Sequence, residues 1–290
     1  MTQRLQTHRE DGVFLRWLGV GGIQLRWRNK ILLIDPFLTR PSILEVLFRP
    51  LVADVILLRR EIASAEAILI THAHYDHLMD TAQIIQQTGA RAYGSGNVVK
   101  LLHATGIPKE KCCLIQSGDS LEINPFKVRV LSGKHIPLPF FSAKEIPPSV
   151  SPPRRVWNYQ MDHCYSFFLS NVSPTILIWH SIEPAGAVPA EVLLIDTEIP
   201  FSQLEELLRS VNPCLVIPIH WDDFFRPLDA PLKPFFRLPE RGFFHLGRLD
   251  ILAYADKVRR LLPQGKVYLP QRLQEVKLME LIEPGIGKID

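Results

Sequence analysis

Hydrophobic and polar positions near the start of the chain follow a pattern that predicts strands. Residues 13–18, 23–27 and 30–34 are short runs rich in aliphatic and aromatic side chains. Their length and alternation are typical of β-strands, and the glycines within residues 19–22 predict a hairpin between the first two. We therefore expect three opening strands, the third of which ends at Asp35.

Farther along the chain, patterns typical of strands alternate with patterns typical of helices. Short apolar runs predict strands, and apolar residues three or four positions apart predict helices. The predicted strands are 67–70, 90–93, 128–131, 175–179, 192–195, 214–219 and 266–269. The predicted helices are 78–87, 98–104, 201–210 and 250–262. This order favours an α/β fold with sheets inside and helices outside. We expect a single domain over residues 1–290, of which residues 1–12 form a polar lead.

Composition and charge exclude several classes of protein. Thirty-three basic and thirty acidic residues give a net charge of +3, so we expect no nucleic-acid partner. The longest uncharged run, 163–182, carries histidine, serine, asparagine and proline, which makes a transmembrane segment there costly. The N-terminus has no apolar targeting segment, and the four cysteines form no CxxC pair. These features predict a cytoplasmic protein.

A dense cluster of potential ligands follows the predicted strand 67–70. It reads His72-x-His74-x-Asp76-His77. Because side chains alternate along an extended segment, His72 and His74 project the same way and can chelate one ion. Asp76 and His77 lie at the turn into the next helix and can hold a second ion. Imidazole and carboxylate ligands suit Zn²⁺ best, with Mn²⁺ or Fe²⁺ as alternatives.

Four ligands cannot complete two coordination spheres, so other segments must contribute. Three further histidines stand where predicted strands end: His135, His180 and His220. Any one of them alone could be an ordinary strand-end residue. Together with the first cluster, His135 and His220 are expected to be metal ligands.

These motifs resemble those of a known family. Residues 71–80, THAHYDHLMD, resemble the signature of the metallo-β-lactamase superfamily. Residues 17–19 and 33–36 resemble the opening strands of the branch that includes ascorbate-phosphate lactonase and N-acylphosphatidylethanolamine phospholipase D. Residues 217–222 resemble the last histidine motif of bacterial members. The resemblance implies a four-layer αββα sandwich, the metallo-β-lactamase fold, with its site at one edge.

The resemblance also implies a set of ligands for two divalent metal ions. For the first metal it implies His72, His74 and His135. For the second metal it implies Asp76, His77 and His220. Asp35 is then expected beside the site, where it would contact a metal ligand rather than bind the metal itself.

The chain departs from the family at one point. Most members with two metals have a carboxylate that bridges the ions, usually in a Gly-Asp-Thr sequence after a strand. The matching strand here is followed by His180, whereas Asp196 comes one strand later. Either residue could lie in the metal site in place of the bridging carboxylate. Alternatively, His180 is an ordinary polar residue at a strand end, and Asp196 is an N-cap residue of the following helix.

The ligand set suggests a hydrolase. Two cations sharing a water would lower its pKa, and the hydroxide could attack a phosphodiester, an ester or a lactone. Asp76 is the expected catalytic residue, because it would bind the second metal and orient the nucleophile. The alternative is a metal-binding or redox member of the fold without hydrolytic activity.

Two loops rich in phenylalanine and proline follow expected ligands, at 136–156 and 224–244. We expect them to border the cleft and to help bind a small-molecule substrate. The candidate pocket residues are Phe140, Phe141, Phe224 and Arg154. The alternative is that these loops only cover the sheet, and a homo-oligomer could bury them.

Overall fold

Two large β-sheets with helices on their outer faces form the frame of the protein. The structure, a computed structural model, describes residues 12–137, 144–237 and 247–283. Both sheets contain parallel and antiparallel pairs. The predicted α/β class is therefore confirmed, whereas the single domain over 1–290 stays a prediction.

The first sheet is built mainly from the N-terminal half of the chain. Its strands are β1 (Val13–Gly19), β2 (Gly22–Trp27), β3 (Lys30–Ile34), β4 (Ala67–Leu69), β5 (Arg91–Gly94), β6 (Cys112–Leu114) and β16 (Glu275–Lys277). Their order across the sheet is β16-β1-β2-β3-β4-β5-β6. Pairing is antiparallel from β16 to β3 and parallel from β3 to β6. The three opening strands agree closely with those predicted from the sequence.

The second sheet follows in the chain. Its strands are β7 (Ser120–Ile123), β8 (Phe126–Gly133), β9 (Cys164–Ser170), β10 (Ile176–Trp179), β11 (Val192–Asp196), β12 (Leu215–Ile219) and β15 (Lys266–Val267). Their order across the sheet is β15-β12-β11-β10-β9-β8-β7. A short separate pair joins β13 (Phe236–Arg237) to β14 (Gly247–Arg248). The uncharged run 163–182 is thus two strands and a turn.

Short helices connect the strands. They are α1 (Ile43–Phe48), α2 (Val55–Glu61), α3 (Tyr75–Leu78), α4 (Thr81–Thr88), α5 (Gly96–Ala104), α6 (Phe201–Val211), α7 (Ile251–Leu261) and α8 (Leu278–Ile282). The predicted helix 78–87 is divided, because α3 ends at Leu78 and α4 begins after Asp80, whose side chain makes no capping hydrogen bond to α4. Among the described helices, none combines the length and the apolar character needed to cross a bilayer.

The core between the sheets arises from alternation along the strands. In β4, Ala67 and Leu69 face the second sheet, whereas Ile68 faces the helices that cover the first sheet. On the far side of the second sheet, α6 buries Leu204 and Leu207. Burial of these apolar side chains from water is the main force that holds the layers together.

The strand order brings the chemically important residues to one edge. Strands β3 and β4 are parallel in the first sheet, and β8, β10, β11 and β12 run in one sense in the second. Their ends meet at one edge of the sandwich, where the ring of His72 after β4 lies 4.7 Å from that of His135 after β8. The residues at or just beyond these ends are Asp35, His72, His135, His180, Asp196 and His220. Residues far apart in the chain therefore meet at this edge.

Asp80 fastens the segment after β3 to the start of α4. Its carboxylate Oδ2 accepts hydrogen bonds from the backbone N–H groups of Leu38, at 2.7 Å, and Thr39, at 2.8 Å. Asp80 is completely buried. Burial raises the pKa of this carboxyl to about 6, although the two N–H donors partly oppose the change.

This raised pKa predicts how stability changes with pH. Between about pH 4 and pH 6 the folded state binds more protons at Asp80 than the unfolded state, so the free energy of unfolding falls as pH rises. The rise in the pKa of Asp80 from 3.8 to about 6 corresponds to about 3 kcal/mol. Asp80→Asn removes this titration.

Denaturant unfolding of both proteins at pH 4 and pH 7 tests this prediction. The free energy of unfolding of the parent should fall by up to about 3 kcal/mol relative to that of Asp80→Asn. Other titrating groups cancel in the difference. A difference between the two proteins that does not change with pH would contradict the prediction.

Candidate metal centre

Three histidines from two strand ends form the first triad. His72 and His74 lie in the extended segment after β4, and His135 follows β8. Their ring centroids are 4.6 Å apart for His72 and His74, 4.7 Å for His72 and His135, and 4.8 Å for His74 and His135. One ring nitrogen from each lies within 4.8 Å of the other two, as a shared ion would require.

The protonation of this triad suits a cation. Burial lowers the pKa of His72 well below its usual range and that of His74 to about 3, and neighbouring imidazoles lower both further. The pKa of His135 is also lowered by burial. Neutral imidazole is the form that binds metals. The buried His72 Nε2 atom has no hydrogen-bond partner among the described residues, and a metal ion would satisfy it.

Asp76, His77 and His220 form the second triad beside the first. Helix α3 carries the first two, and His220 comes directly after β12. The Asp76 Oδ2 atom lies 3.5 Å from Nε2 of His77 and 3.5 Å from Nε2 of His220. The rings of His72 and His77 are 3.9 Å apart, so the two triads are adjacent.

The second triad holds protons that a cation would replace. Burial alone would lower the pKa of His77, but the carboxylates of Asp76 and Asp35 outweigh it and raise the pKa to about 9. Burial would also lower the pKa of His220, but the carboxylates of Asp196 and Asp76 outweigh it and raise that pKa well above its usual range. Since a metal binds the neutral ring, ion binding here would release protons.

Asp35 orients the second triad, as its expected position beside the site suggested. Its Oδ2 atom lies 2.8 Å from Nδ1 of His77, which leaves Nε2 of that ring directed toward Asp76. The same carboxylate accepts hydrogen bonds from the backbone N–H of Thr71 at 2.8 Å and from its hydroxyl at 2.5 Å. A carboxylate behind a histidine fixes the ring orientation and raises its basicity as a ligand.

The two residues considered for the bridging position lie together at the site. His180 Nδ1 is 3.2 Å from Asp196 Oδ2, and Asp196 Oδ1 is 3.9 Å from Nδ1 of His220. Asp196 thus faces the side of the His220 ring opposite Asp76. Sequence reasoning missed Glu198, whose Oε1 atom lies 4.0 Å from the same Nδ1. Glu198 stands in the turn beyond the end of β11, where no strand alternation indicates the direction of a side chain.

A strained backbone supports His220. Val20, Asp35 and His220 have φ values of 51°, 44° and 58°, a left-handed conformation that is rare for residues with a side chain. The His220 N–H donates to the Val20 carbonyl at 2.8 Å, and the Val20 N–H donates to Asp222 Oδ1 at 2.7 Å. Arg40 Nη1 lies 2.6 Å from Asp222 Oδ2, and both side chains are buried. This ion pair therefore holds the hairpin turn against the His220 segment.

The proposed pocket residues have different positions. The Phe224 ring lies 6.4 Å from that of His220 and 4.4 Å from that of Phe235, so it stands beside the second triad. Arg154 is exposed and lines a cavity of about 680 Å³ with residues such as Trp157, and no member of either triad lines it. Phe140 and Phe141 lie outside the described residues. Their part in substrate binding stays a prediction.

Comparison with known proteins identifies relatives of part of the chain. Residues 30–145 match the family described as "Beta-lactamase superfamily domain". A UPF0173 metal-dependent hydrolase of Thermodesulfovibrio yellowstonii is 29% identical over 140 residues, which are 47% of this chain and 48% of the relative. One from Myxococcus xanthus is 26% identical over 105 residues, 36% of this chain and 32% of the relative. The chain thus spans less than half the length of either.

A solved structure extends the similarity over almost the whole chain. Igni18, a metallo hydrolase of Ignicoccus hospitalis, superposes with a TM-score of 0.58 at 15% identity, over 91% of this chain and 97% of Igni18. At this identity the likeness shows the fold alone. The predicted superfamily resemblance and the predicted metallo-β-lactamase fold are confirmed, whereas the narrower branch stays a prediction.

The buried ion pair behind Val20 leads to a prediction about stability. Asp222→Ala leaves the Arg40 guanidinium buried without its partner, which should lower the free energy of unfolding by about 3–5 kcal/mol. The control is Asp256→Ala, which removes an exposed ion pair with Arg259 and should cost less than about 1 kcal/mol. Urea unfolding measures both. Equal losses in the two variants would show that the buried pair has no special role.

Proposed function

We propose that this chain, which carries a β-lactamase superfamily domain, is a metal-dependent hydrolase with two cation sites. His72, His74 and His135 would hold one ion, and Asp76, His77 and His220 the other. The observation that carries the proposal is the contact of the two triads, whose His72 and His77 rings are 3.9 Å apart. Two sites this close could act on one substrate.

The residues of the chain would have distinct roles in hydrolysis. Bound divalent cations would supply Lewis acidity and lower the pKa of a water. Asp76, with one oxygen facing the second site, would orient that water through its other oxygen and accept its hydrogen bond. Asp35 would keep His77 in the tautomer with Nδ1 protonated, so that Nε2 stays available.

We further propose that Asp196 and His180 support the second site in place of the missing bridging carboxylate. Asp196 lies near Nδ1 of both His180 and His220, so it can accept a hydrogen bond from the N–H of either ring and fix the orientation of that ring. His180 also packs near Gly21, where an added Cβ would come within 3.0 Å of the His180 ring and 3.1 Å of the His77 ring. The glycine hairpin therefore closes this side of the site.

The proposed substrate is a phosphodiester, an ester or a lactone of a small molecule. Such groups offer an electrophilic phosphorus or carbon and a leaving oxygen that a second cation can stabilise. The Phe224 ring lies beside His220, and the rings of Phe225 and Phe235 pack against Phe224. They would accept an apolar part of the substrate next to the bond that is cleaved.

A redox or metal-binding role without hydrolysis is the alternative. It is favoured by a third group, Asp196, Glu198 and His220, whose ligand atoms also lie within 4.8 Å of one another. Two carboxylates and one imidazole form an oxygen-rich set that suits iron or manganese. The identity of the metal in the purified protein would separate the two roles, because zinc cannot support redox chemistry.

The first test measures metal content. Elemental analysis of the purified protein should find between one and two transition-metal ions per chain, chiefly zinc, with at most one ion at each triad. The double variant His72→Ala/His74→Ala should lose most of the metal, because two of three ligands of one site are removed. His103→Ala is the control, since this imidazole on α5 belongs to neither triad. Unchanged metal content in the double variant would contradict the proposed ligands.

The second test concerns catalysis by Asp76. The metal-loaded protein should hydrolyse at least one substrate in a screen of bis-p-nitrophenyl phosphate, aryl esters and lactones. Asp76→Asn keeps the size of the side chain but removes its charge. The variant should stay folded, retain metal at the triad of His72, His74 and His135, and lose about a hundredfold or more in kcat.

Asp256→Asn, an exposed substitution on α7, serves as the control and should leave kcat unchanged. Circular dichroism and metal analysis confirm that all proteins compared are folded and loaded. Full activity in Asp76→Asn would exclude the proposed role of Asp76. Loaded protein that cleaves none of these substrate classes would contradict the hydrolase proposal and favour the alternative.

A further inference from the structure

An exposed apolar surface stands beyond the end of β3. Six large apolar side chains of α1, α2 and the segment between them are exposed: Ile43, Leu44, Leu47, Phe48, Val52 and Ile56. Phe48 is 71% exposed, Val52 73% and Ile56 82%. Single exposed apolar residues are ordinary, but six within fourteen positions form a patch of the kind that marks an interaction site. We call these six residues the apolar face.

Both helices that carry the apolar face are fixed in place, so its exposure does not result from loose packing. A capping box between Ser42 and Glu45 fixes the start of α1. Val46 is buried beneath the helix, so the helical spacing turns the residues on either side of it outward. In α2, Leu58 is the buried anchor, and Ile56 and Arg60 lie four positions apart on the outer side. Both helices are thus held to the protein by one side and display the other.

Basic and acidic side chains around the apolar face differ in number and in the contacts they make. Its acidic residues are engaged: Glu45 in the capping box, Asp54 as the N-cap of α2, and Glu61 with Arg16 and Arg60. Arg49 and Arg59 are exposed around it, whereas Arg60 pairs with Glu61. Together with Arg154 and Arg155, which lie beside this segment, the surface carries more guanidinium groups than carboxylates.

A second segment extends the same surface. The Leu51 N–H donates to the carbonyl of Arg154 at 2.7 Å, which joins the loop between α1 and α2 to residues 154–158. Arg154 is exposed, and Trp157 is half exposed with the Arg155 guanidinium over its ring. Tryptophan and arginine beside exposed aliphatic side chains are the combination found at membrane–water interfaces.

We propose that the apolar face and its surrounding arginines dock onto an anionic lipid bilayer. The apolar side chains would enter the boundary between headgroups and acyl chains, while the guanidinium groups extend to the lipid phosphates. A second copy of this chain is a poorer occupant. It would bring the same excess of basic side chains, so the charges would not be complementary. This proposal does not depend on the hydrolase activity.

Vesicle sedimentation tests the proposal with the full chain. The protein should sediment with vesicles of phosphatidylcholine and phosphatidylserine and much less with vesicles of phosphatidylcholine alone. High salt should weaken this binding. Leu47→Ser/Phe48→Ser should reduce binding at least tenfold, because about two side chains no longer enter the bilayer. Arg49→Gln/Arg59→Gln should reduce it about fivefold per arginine, and only for the anionic vesicles.

The matched control is Leu252→Ser, which removes an apolar side chain that is 65% exposed on α7, outside the apolar face. It should bind vesicles as the parent does. All substituted side chains are exposed, so the variants should keep the parent's circular dichroism spectrum. Absence of binding, equal binding to both kinds of vesicle, or an equal loss in Leu252→Ser would overturn the proposal. The parent protein could instead fail to bind vesicles and form a dimer that Leu47→Ser/Phe48→Ser dissociates. That result would identify a second copy of the chain as the occupant.

Discussion

The carboxylate of Asp35 is the interaction on which the candidate metal centre depends. It sits in a left-handed turn at the end of β3, completely buried, and binds Thr71 on one side and His77 on the other. A buried carboxylate is stable only when donors surround it. Its donors come from the segment that carries the first histidines, so satisfying Asp35 also sets the direction of that segment. The same contacts thus stabilise the fold and orient His77.

The two triads are alike in shape but differ in charge. His72, His74 and His135 are neutral because burial removes their protons. His77 and His220 keep their protons because Asp76, Asp35 and Asp196 stand beside them. The first triad can therefore bind an ion without losing protons. The second triad must release protons from its histidines before it binds one. Two adjacent sites with such different surroundings would bind ions with different dependence on pH.

Much of this arrangement could be predicted from the sequence, because it rests on local signals. Alternation located the strands, and the spacing of His72, His74, Asp76 and His77 indicated the cluster. The positions of His135 and His220 followed from strands that end in histidine. Glu198 and the pair of Arg40 with Asp222 could not be predicted in the same way. Their partners are distant in the chain, and each alone resembles an ordinary polar loop residue.

The bonds that hold Val20 and Arg40 to Asp222 also bear on how the protein folds. They join residues 202 and 182 positions apart. Closing loops of that length costs chain entropy that must be recovered by contacts already formed elsewhere. The edge carrying the histidines should therefore assemble late, after both sheets have formed. Until that moment a nascent chain would display its histidines on separate segments, where stray ions could bind them in the wrong combination.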